Sequence, residues 1–311
     1  MIQETNTGSG LIASTVDAHL RHEREQEGKR PTAFGTALRG SQAYNCARKI
    51  GFEMAQVRES EEFPYETLIA FHLGQAMHEK VQESLAGMWE DFEAEAPVDL
   101  RPFGYDISGH ADGLFTIGDK KYVLELKTMT AFPFKLALKG EGTTTDSPKI
   151  EHILQAGIYA YGLEADGIQL VYISKDASYR DGVKPGMTLE FRFDMDDVVP
   201  SVNITVRELV EQELSRLNII AEEVESGMIP ARFVPDEVWI EDPPRYAASR
   251  GYWRCRYCVF NIDCRALPTQ ATPVEASTPN IQNSWDPPAT EFNEHISFYT
   301  SLDDATEEEE K

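Results

Sequence analysis

A short apolar segment near the middle of the chain carries an acid and a base two residues apart. Glu125 and Lys127 lie in the segment Tyr122-Val-Leu-Glu-Leu-Lys127, and Asp112 lies 13 residues upstream of Glu125. Side chains alternate between the two faces of a strand, so Glu125 and Lys127 share one face and the intervening leucines pack on the other. Two carboxylates beside a lysine are costly to bring together unless a cation lies between them. The pattern therefore predicts a magnesium-dependent phosphodiesterase site.

Each of these residues also has an ordinary structural explanation. Taken alone, Glu125 and Lys127 are better explained as a solvated ion pair on the surface of a sheet. Asp112 precedes Gly113, and that dipeptide is typical of a turn. The phosphodiesterase interpretation therefore depends on the set of residues and their order, and not on any one of them.

The four cysteines form a second unusual pattern. Cys255, Cys258 and Cys264 lie within ten residues, and Cys46 lies 209 residues before Cys255. The C-x2-C-x5-C spacing suits one metal centre, and thiolates bind zinc or iron–sulfur clusters. Disulfides and unrelated free thiols are the alternatives, and a cytosolic chain disfavours disulfides. We predict a metal centre, either zinc or iron–sulfur, that ties the N-terminal helices to the C-terminal segment.

Composition bounds the class of protein. No run of 18 apolar residues occurs among the 311, and the N-terminus lacks the pattern of a signal peptide, which predicts a cytoplasmic protein without a membrane partner. The net charge of −24 argues against electrostatic attraction of the whole protein to nucleic acid. DNA binding would therefore require a local basic groove.

The hydrophobic pattern predicts an α/β fold with a mixed central sheet flanked by helices. Residues 1–10 are expected to be a flexible lead, 11–266 one domain, and 267–311 a disordered acidic tail. Aromatic residues in the tail suggest a docking motif for a protein partner, with a solubilising tail equally plausible. Helices are predicted near 14–26, 42–56, 65–90, 149–163 and 202–226. Strands are predicted near 98–103, 106–110, 114–117, 122–128, 168–174 and 189–194.

These motifs together resemble the RecB-like branch of the PD-(D/E)XK nucleases, over roughly residues 40–265. The resemblance is closest to the iron–sulfur subgroup, which includes the AddB nuclease domain, the CRISPR-associated four-cysteine exonucleases and related phage exonucleases. The motifs that carry it are Gly74-Gln-Ala-Met-His78, Gly109-His-Ala-Asp112-Gly113, Glu125-Leu126-Lys127, Gln155-Ala-Gly-Ile-Tyr159, Cys46-Ala-Arg-Lys49 and the trio Cys255, Cys258 and Cys264.

The resemblance implies a restriction-endonuclease-like core in which a 4Fe-4S cluster joins the N- and C-terminal segments. Asp112 and Glu125 would be oxygen ligands of Mg²⁺, with the Leu126 carbonyl as a third. His78, preferred to its rival His72, would add a nitrogen ligand that also suits Mn²⁺. Lys127 would position the attacking water. Gln155 and Tyr159, one helical turn apart, would orient Lys127 or the substrate backbone.

The implied function is a metal-dependent DNA exonuclease acting on single strands or DNA ends, in recombination, repair or phage DNA metabolism. The alternatives are a nuclease component of CRISPR spacer acquisition and a non-catalytic, zinc-containing nucleic-acid-binding or assembly protein. The segment from Thr128 to Lys149 is expected to be a surface loop whose aromatics and lysines suit single-stranded DNA; these are Phe132, Phe134, Lys135, Lys139 and Lys149. Basic residues beside the cysteines are expected to form a rim or to offset the charge of the centre; these are Arg48, Lys49, Arg254, Arg256 and Arg265.

Overall fold

A central sheet organises the part of the chain described by the computed structural model, which comprises residues 11–28, 35–57, 59–139, 148–232, 255 and 258–274. The predicted flexible lead and residues 275–311 of the predicted acidic tail lie outside the described residues. Six strands of the described chain form the sheet, in the order β1-β3-β4-β5-β6 with β2 also pairing with β3. Their bounds are Leu38–Arg39 (β1), Glu93–Asp99 (β2), Ile107–Ile117 (β3), Lys120–Met129 (β4), Gly167–Ser174 (β5) and Thr188–Asp194 (β6).

The sheet is mixed, as the sequence predicts. The pairs β1–β3 and β4–β5 are parallel, and β2–β3, β3–β4 and β5–β6 are antiparallel. The parallel strands β4 and β5 require a crossover connection, which passes through two helices, α4 (Ala131–Lys139) and α5 (Ile150–Gly162). The remaining helices are α1 (Leu11–Gly28), α2 (Ala47–Met54), α3 (Tyr65–Ala86), α6 (Val206–Glu225) and α7 (Asn261–Ala266).

Helices cover both faces of the sheet. On one face, α5 and α6 share the main core with Val123 and Leu170 of the central strands. On the other face, α3 packs Met77 and neighbouring apolar residues against a second cluster that contains Leu124 and Leu126. The alternation predicted for β4 is therefore observed, because its leucines face α3 while Val123 faces α5. No helix in the described residues is both long and apolar enough to cross a membrane.

Two predicted strands have different bounds in the structure. The strand expected near 98–103 is instead β2, and residues Arg101–Phe103 form a 3₁₀ turn. The strand ends because Leu100, with φ of −95° and ψ of 0°, leaves the extended conformation. The strands expected at 106–110 and 114–117 are one strand, β3, so Asp112 and Gly113 do not form a turn. A side chain at Gly113 would begin 2.5 Å from the ring of Phe92, which explains the glycine by close packing.

The segment expected to be a surface loop contains a helix, α4. The helix begins at Ala131, whose backbone N–H donates a hydrogen bond to the carboxylate of Asp176, two residues after the end of β5. Pro133 is compatible with the first turn, where an N–H needs no intrahelical acceptor. Phe134 is 0% exposed and belongs to the core, which corrects its expected role as a base-stacking residue. Phe132 is 69% exposed.

Arg48 holds the two ends of the described chain together. Its side chain on α2 is 0% exposed, so this residue does not belong to a basic rim. The guanidinium instead donates hydrogen bonds of 2.6 to 3.2 Å to backbone carbonyls far along the chain. The acceptors are Pro230, Pro268, Thr269 and Gln270.

The chain after α7 remains on the body of the fold. Thr272 and Pro273 pair antiparallel with Met228 and Ile229, and Thr272 is buried. The described residues after Ala266 therefore pair with the body as far as Val274, the last described residue. Arg254 and Arg256, two members of the expected basic rim, lie outside the described residues.

Candidate active site and cysteine centre

Glu125 and Lys127 form a buried ion pair on β4. The carboxylate of Glu125 is 1% exposed, and its Oε1 lies 2.5 Å from the Nζ of Lys127. Burial raises the pKa of Glu125 to about 7, the ammonium of Lys127 opposes that rise, and Asp112 adds to it. A solvated surface pair is therefore excluded, because the carboxylate has been taken out of water.

Asp112 lies on β3 and contacts the backbone of β4. Its Oδ2 accepts a hydrogen bond of 2.6 Å from the backbone N–H of Leu126, and its Oδ1 lies 3.5 Å from the Nδ1 of His78. The rival histidine, His72, lies instead 4.0 Å from Glu23 on α1. The structure therefore brings His78, Asp112 and the Leu126 backbone together beside Glu125.

Gln155 and Tyr159 of α5 approach the site from the opposite side. The Oε1 of Gln155 accepts a hydrogen bond of 3.1 Å from the Nζ of Lys127, which holds the ammonium from α5. Tyr159 is 3% exposed and lies one helical turn after Gln155 on α5. Burial raises the pKa of its hydroxyl well above its usual value. Side chains at Gly40 or Gly109 would begin 2.3 or 2.8 Å from its ring, so Tyr159 fills a space kept open by two glycines.

Two residues at the site were not anticipated from the sequence. Gln82 lies one helical turn after His78, and its Nε2 donates to the backbone carbonyl of Asp112 at 2.8 Å and to the carboxylate of Glu95 at 2.6 Å. Glu95 has a φ of 50°, which is uncommon for a residue with a side chain. Gln82 therefore fixes the backbone that carries Asp112. The four-residue spacing from His78 was the available signal, because it places both side chains on one face of α3.

The donor set suits a divalent cation in its chemistry. Asp112 and Glu125 supply hard oxygens of the kind that Mg²⁺ prefers, and His78 supplies a nitrogen. The Oε2 of Glu125 is buried without a hydrogen-bond partner among the described residues, which leaves an oxygen to satisfy. No three His, Cys, Asp or Glu side chains in the described ranges are gathered as tightly as one ion requires. The ammonium of Lys127 pairs with the other oxygen of Glu125, Oε1, and supplies the positive charge that compensates the carboxylate.

A histidine beside the site, His152, is expected to make the stability of the fold depend on pH. The Nδ1 of His152 lies 2.9 Å from the hydroxyl of Tyr172. Burial lowers the pKa of His152 to about 3, and the positive charges of Lys127 and Lys149 contribute. The unfolded chain takes up a proton here as pH falls below about 6.5, while the folded chain does not, so stability is lost as pH falls through that window.

The variant His152→Gln should therefore lose less stability in acid than the wild type. Linkage allows at most about 1.4 kcal/mol per pH unit, hence up to about 2 kcal/mol between pH 6.5 and pH 5. Urea unfolding at these two pH values measures the difference, and His22→Gln, an exposed residue of α1, is the control. Equal pH slopes for His152→Gln and the wild type would show that His152 is not held neutral by the fold.

The four cysteines meet at one end of the fold, and none is in a disulfide. Cys46 immediately precedes α2, while Cys264 lies on α7. Burial raises the pKa of the Cys255 thiol to about 12, and the charges of Cys46, Cys264 and Cys258 add to that rise. The structure therefore brings Cys46 into electrostatic range of the C-terminal trio across more than 200 residues of sequence.

The charges around the thiols suit an anionic centre. Burial raises the pKa of the Cys264 thiol, and the positive charge of Arg48 opposes that rise. The four acceptors of the Arg48 guanidinium given above are neutral carbonyls, so its positive charge is available to a group of thiolates. The described cysteines are not gathered around a single-ion position. A four-iron cluster does not require thiolates that converge on one ion, because each thiolate binds a different iron.

No family model matches the chain. The chain is 24% identical over 267 residues to the CRISPR-associated exonuclease Cas4 of Saccharolobus solfataricus, covering 82% of this chain and 96% of that protein. Among solved structures, SSO0001 has a TM-score of 0.43 at 18% identity, covering 85% of this chain and 99% of that one. The alkaline exonuclease LHK-Exo from Laribacter hongkongensis has a TM-score of 0.40 at 14% identity, covering 61% of this chain and 90% of that one.

Proposed function

We propose, on the premise that this chain is a nuclease of the PD-(D/E)XK-like superfamily, that it is a DNA exonuclease. The observation that carries the proposal is the group formed by Asp112, Lys127 and the buried Glu125. Glu125 keeps an oxygen without a partner in the described residues, at the position where the resemblance to the PD-(D/E)XK nucleases implies a catalytic metal. The substrate is single-stranded DNA or a DNA end.

Asp112, Glu125 and His78, with the Leu126 carbonyl, are the residues that would hold Mg²⁺ or Mn²⁺. A divalent cation held there would lower the pKa of water and offset the charge that develops on the phosphate. Lys127 positions the attacking water and neutralises negative charge near the scissile phosphate. Gln155 keeps the ammonium of Lys127 in place, and Tyr159 supports Gln155 from the core. Hydrolysis by attack on phosphorus leaves a 5′-phosphate on the released product.

The cysteine centre has a structural role in this proposal. Cys46, Cys255, Cys258 and Cys264 would hold a 4Fe-4S cluster that joins the N-terminal helices to the C-terminal segment. The raised pKa values of Cys255, Cys258 and Cys264 mean that cluster binding releases protons. The purified protein should be brown and contain roughly four iron atoms per chain, whereas zinc in place of iron would favour the binding-protein alternative.

The nuclease assay uses cluster-loaded protein with single-stranded DNA labelled at either end. We expect hydrolysis with Mg²⁺ or Mn²⁺, no hydrolysis in a chelator, and release of short 5′-phosphorylated products. A circular single strand of the same sequence is the matched control, because it offers no end and an exonuclease leaves it intact. If loaded protein does not degrade the linear strand with either metal, or degrades the circle as fast as the linear strand, the proposed exonuclease activity is wrong.

A second candidate function is a nuclease step in CRISPR spacer acquisition. The observation that favours it is the similarity to a protein named as CRISPR-associated. Such a role requires an integrase partner. The docking motif predicted in the tail lies outside the described residues and gives this candidate no support from the structure.

A further inference from the structure

Three aromatic side chains near the end of the catalytic strand are exposed to solvent. Tyr179 is 93% exposed, Phe132 is 69% exposed and Phe71 is 52% exposed. Each comes from a different element: Phe71 from α3, Phe132 from α4 and Tyr179 from the 3₁₀ turn Tyr179–Asp181. We call these three residues the aromatic rim. Single exposed apolar residues are ordinary on a protein surface, whereas several held at one end of a sheet form a surface to which a ligand can bind.

Hydrogen bonds and an ion pair tie the three elements to one short segment after β5. Asp176 accepts from the backbone N–H of Ala131, the residue before Phe132. The ammonium of Lys175 donates to the carbonyl of Ala70, the residue before Phe71, at 3.2 Å. The rim is therefore assembled around residues 175–181, which also contain Tyr179.

A further ion pair fixes the turn that carries Tyr179. Asp181 pairs with Lys135, three residues after Phe132 on α4, and also accepts from Ser178 at 2.7 Å. The backbone N–H of Lys175 donates to the carbonyl of Met129, the last residue of the catalytic strand β4, at 2.8 Å. Phe132 and Tyr179 are consequently held on neighbouring elements at the end of that strand.

The rim lies next to the proposed active site. Lys127 is two residues before Met129 on β4. A Cβ at Gly74 of α3 would begin 3.0 Å from the Oγ1 of Thr128, so α3 passes close to the residue that follows Lys127. A polymer whose phosphate reached Lys127 would have its neighbouring units at this end of the strand.

The local charge suits a polyanion although the whole chain is acidic. The segment from Lys175 to Lys184 carries three basic and two acidic residues, while the chain as a whole has a net charge of −24. Both acids in this segment are already engaged with α4, Asp176 with a backbone N–H and Asp181 with Lys135. Arg180 and Lys184 are exposed. Phosphates approaching the rim therefore meet basic side chains.

We propose that the aromatic rim is a stacking platform for the unpaired bases of single-stranded DNA that leads into the active site. This proposal rests on the proposed function and deepens it, because it assigns a substrate class. Exposed rings stack on bases that are splayed out, with little dependence on sequence. The faces of bases inside a duplex are already covered by their neighbours. The rim therefore selects unpaired strands over blunt duplex ends.

Binding is measured without cleavage, by fluorescence anisotropy in the Asp112→Asn background. Phe132→Ala and Tyr179→Ala should each weaken binding of oligo-dT by about 5- to 150-fold, the range for loss of one stacked base. Tyr179→Phe keeps the ring and should bind as the parent does, whereas Phe132→Leu keeps apolar area without a ring and should bind more weakly. Ile219→Ala removes an exposed apolar residue of α6 and is the matched control.

The results separate failure of the platform from failure of the nuclease. If the wild type degrades DNA but Phe132→Ala and Tyr179→Ala bind oligo-dT as tightly as the parent, the platform is wrong and the nuclease stands. If these variants lose affinity for a blunt hairpin as much as for oligo-dT, the rim is not selective for unpaired bases, and the proposal is also overturned. If the wild type degrades no DNA, the proposed function fails, whatever the binding result for the rim.

Discussion

Asp112→Asn should abolish DNA hydrolysis while leaving the fold intact. Asparagine keeps an oxygen that can accept the hydrogen bond from the backbone N–H of Leu126, so the strand geometry is preserved. It removes the negative charge that, with Glu125, would attract a divalent cation. We expect hydrolysis of end-labelled single-stranded DNA to fall by at least about 10³-fold, as for loss of a group that stabilises developing charge.

Asp106→Asn is the matched control for this substitution. Asp106 lies just before the same strand, β3, and its carboxylate also accepts from a backbone N–H, that of Ala37, at 2.7 Å. It makes no contact with the proposed metal ligands, so its asparagine variant should cleave at about the wild-type rate. Titration calorimetry with Mn²⁺ should show weakened binding only in Asp112→Asn. Cleavage by Asp112→Asn within tenfold of the wild type would show that this carboxylate is not a metal ligand.

Arg48→Met should produce the largest loss of stability. Methionine fills much of the volume but removes the donor of four backbone carbonyls, of which the one on Pro230 is buried and the one on Thr269 keeps the N–H of Arg232. A hydrogen bond from a charged donor contributes about 1.5–3 kcal/mol, so the combined loss should exceed about 3 kcal/mol, or about 10 °C in Tm for a domain of this size. Thermal unfolding of the loaded protein measures this loss. Burial raises the pKa of the Cys264 thiol and the positive charge of Arg48 opposes that rise, so iron content should fall in parallel.

Lys49→Met on the same helix is the control for Arg48→Met. Lys49 makes a partly exposed ion pair with Glu53 at 3.6 Å, which is worth at most about 0.5 kcal/mol. Its Tm should therefore change by less than about 2 °C. If Arg48→Met and Lys49→Met unfold at similar temperatures with equal iron content, the buried guanidinium does not hold the two ends of the fold together.

Local patterns predicted strand β4 because its geometry depends on neighbours in sequence. Strand alternation is enough to place Glu125 and Lys127 on one face of β4. Helical spacing likewise places Gln155 and Tyr159 on one face of α5. The mixed sheet followed from the order of periodic segments in the same way.

The features that were not predicted depend on contacts distant in sequence. Helix α4 begins where Asp176 binds the N–H of Ala131, and nothing within the segment from Thr128 to Lys149 signals that partner. Gln82 acts on Asp112 from a different element, 30 residues away. From the sequence, Arg48 is expected to be an exposed basic residue near a cysteine, because the backbone carbonyls that surround it lie far along the chain. Burial and long-range partners decide these cases, and a single sequence does not display them.

The hydrogen bonds of Arg48 also determine when this protein becomes native during its synthesis. Their acceptors are made 182 to 222 residues after the arginine itself. At ribosomal rates of about 5–20 residues per second, α2 waits on the order of 10–40 seconds for them. Throughout that interval the nascent chain carries an unpaired thiol, Cys46, and a core that is open at one end. Protection from aggregation therefore matters most until the segment that carries these acceptors has been made.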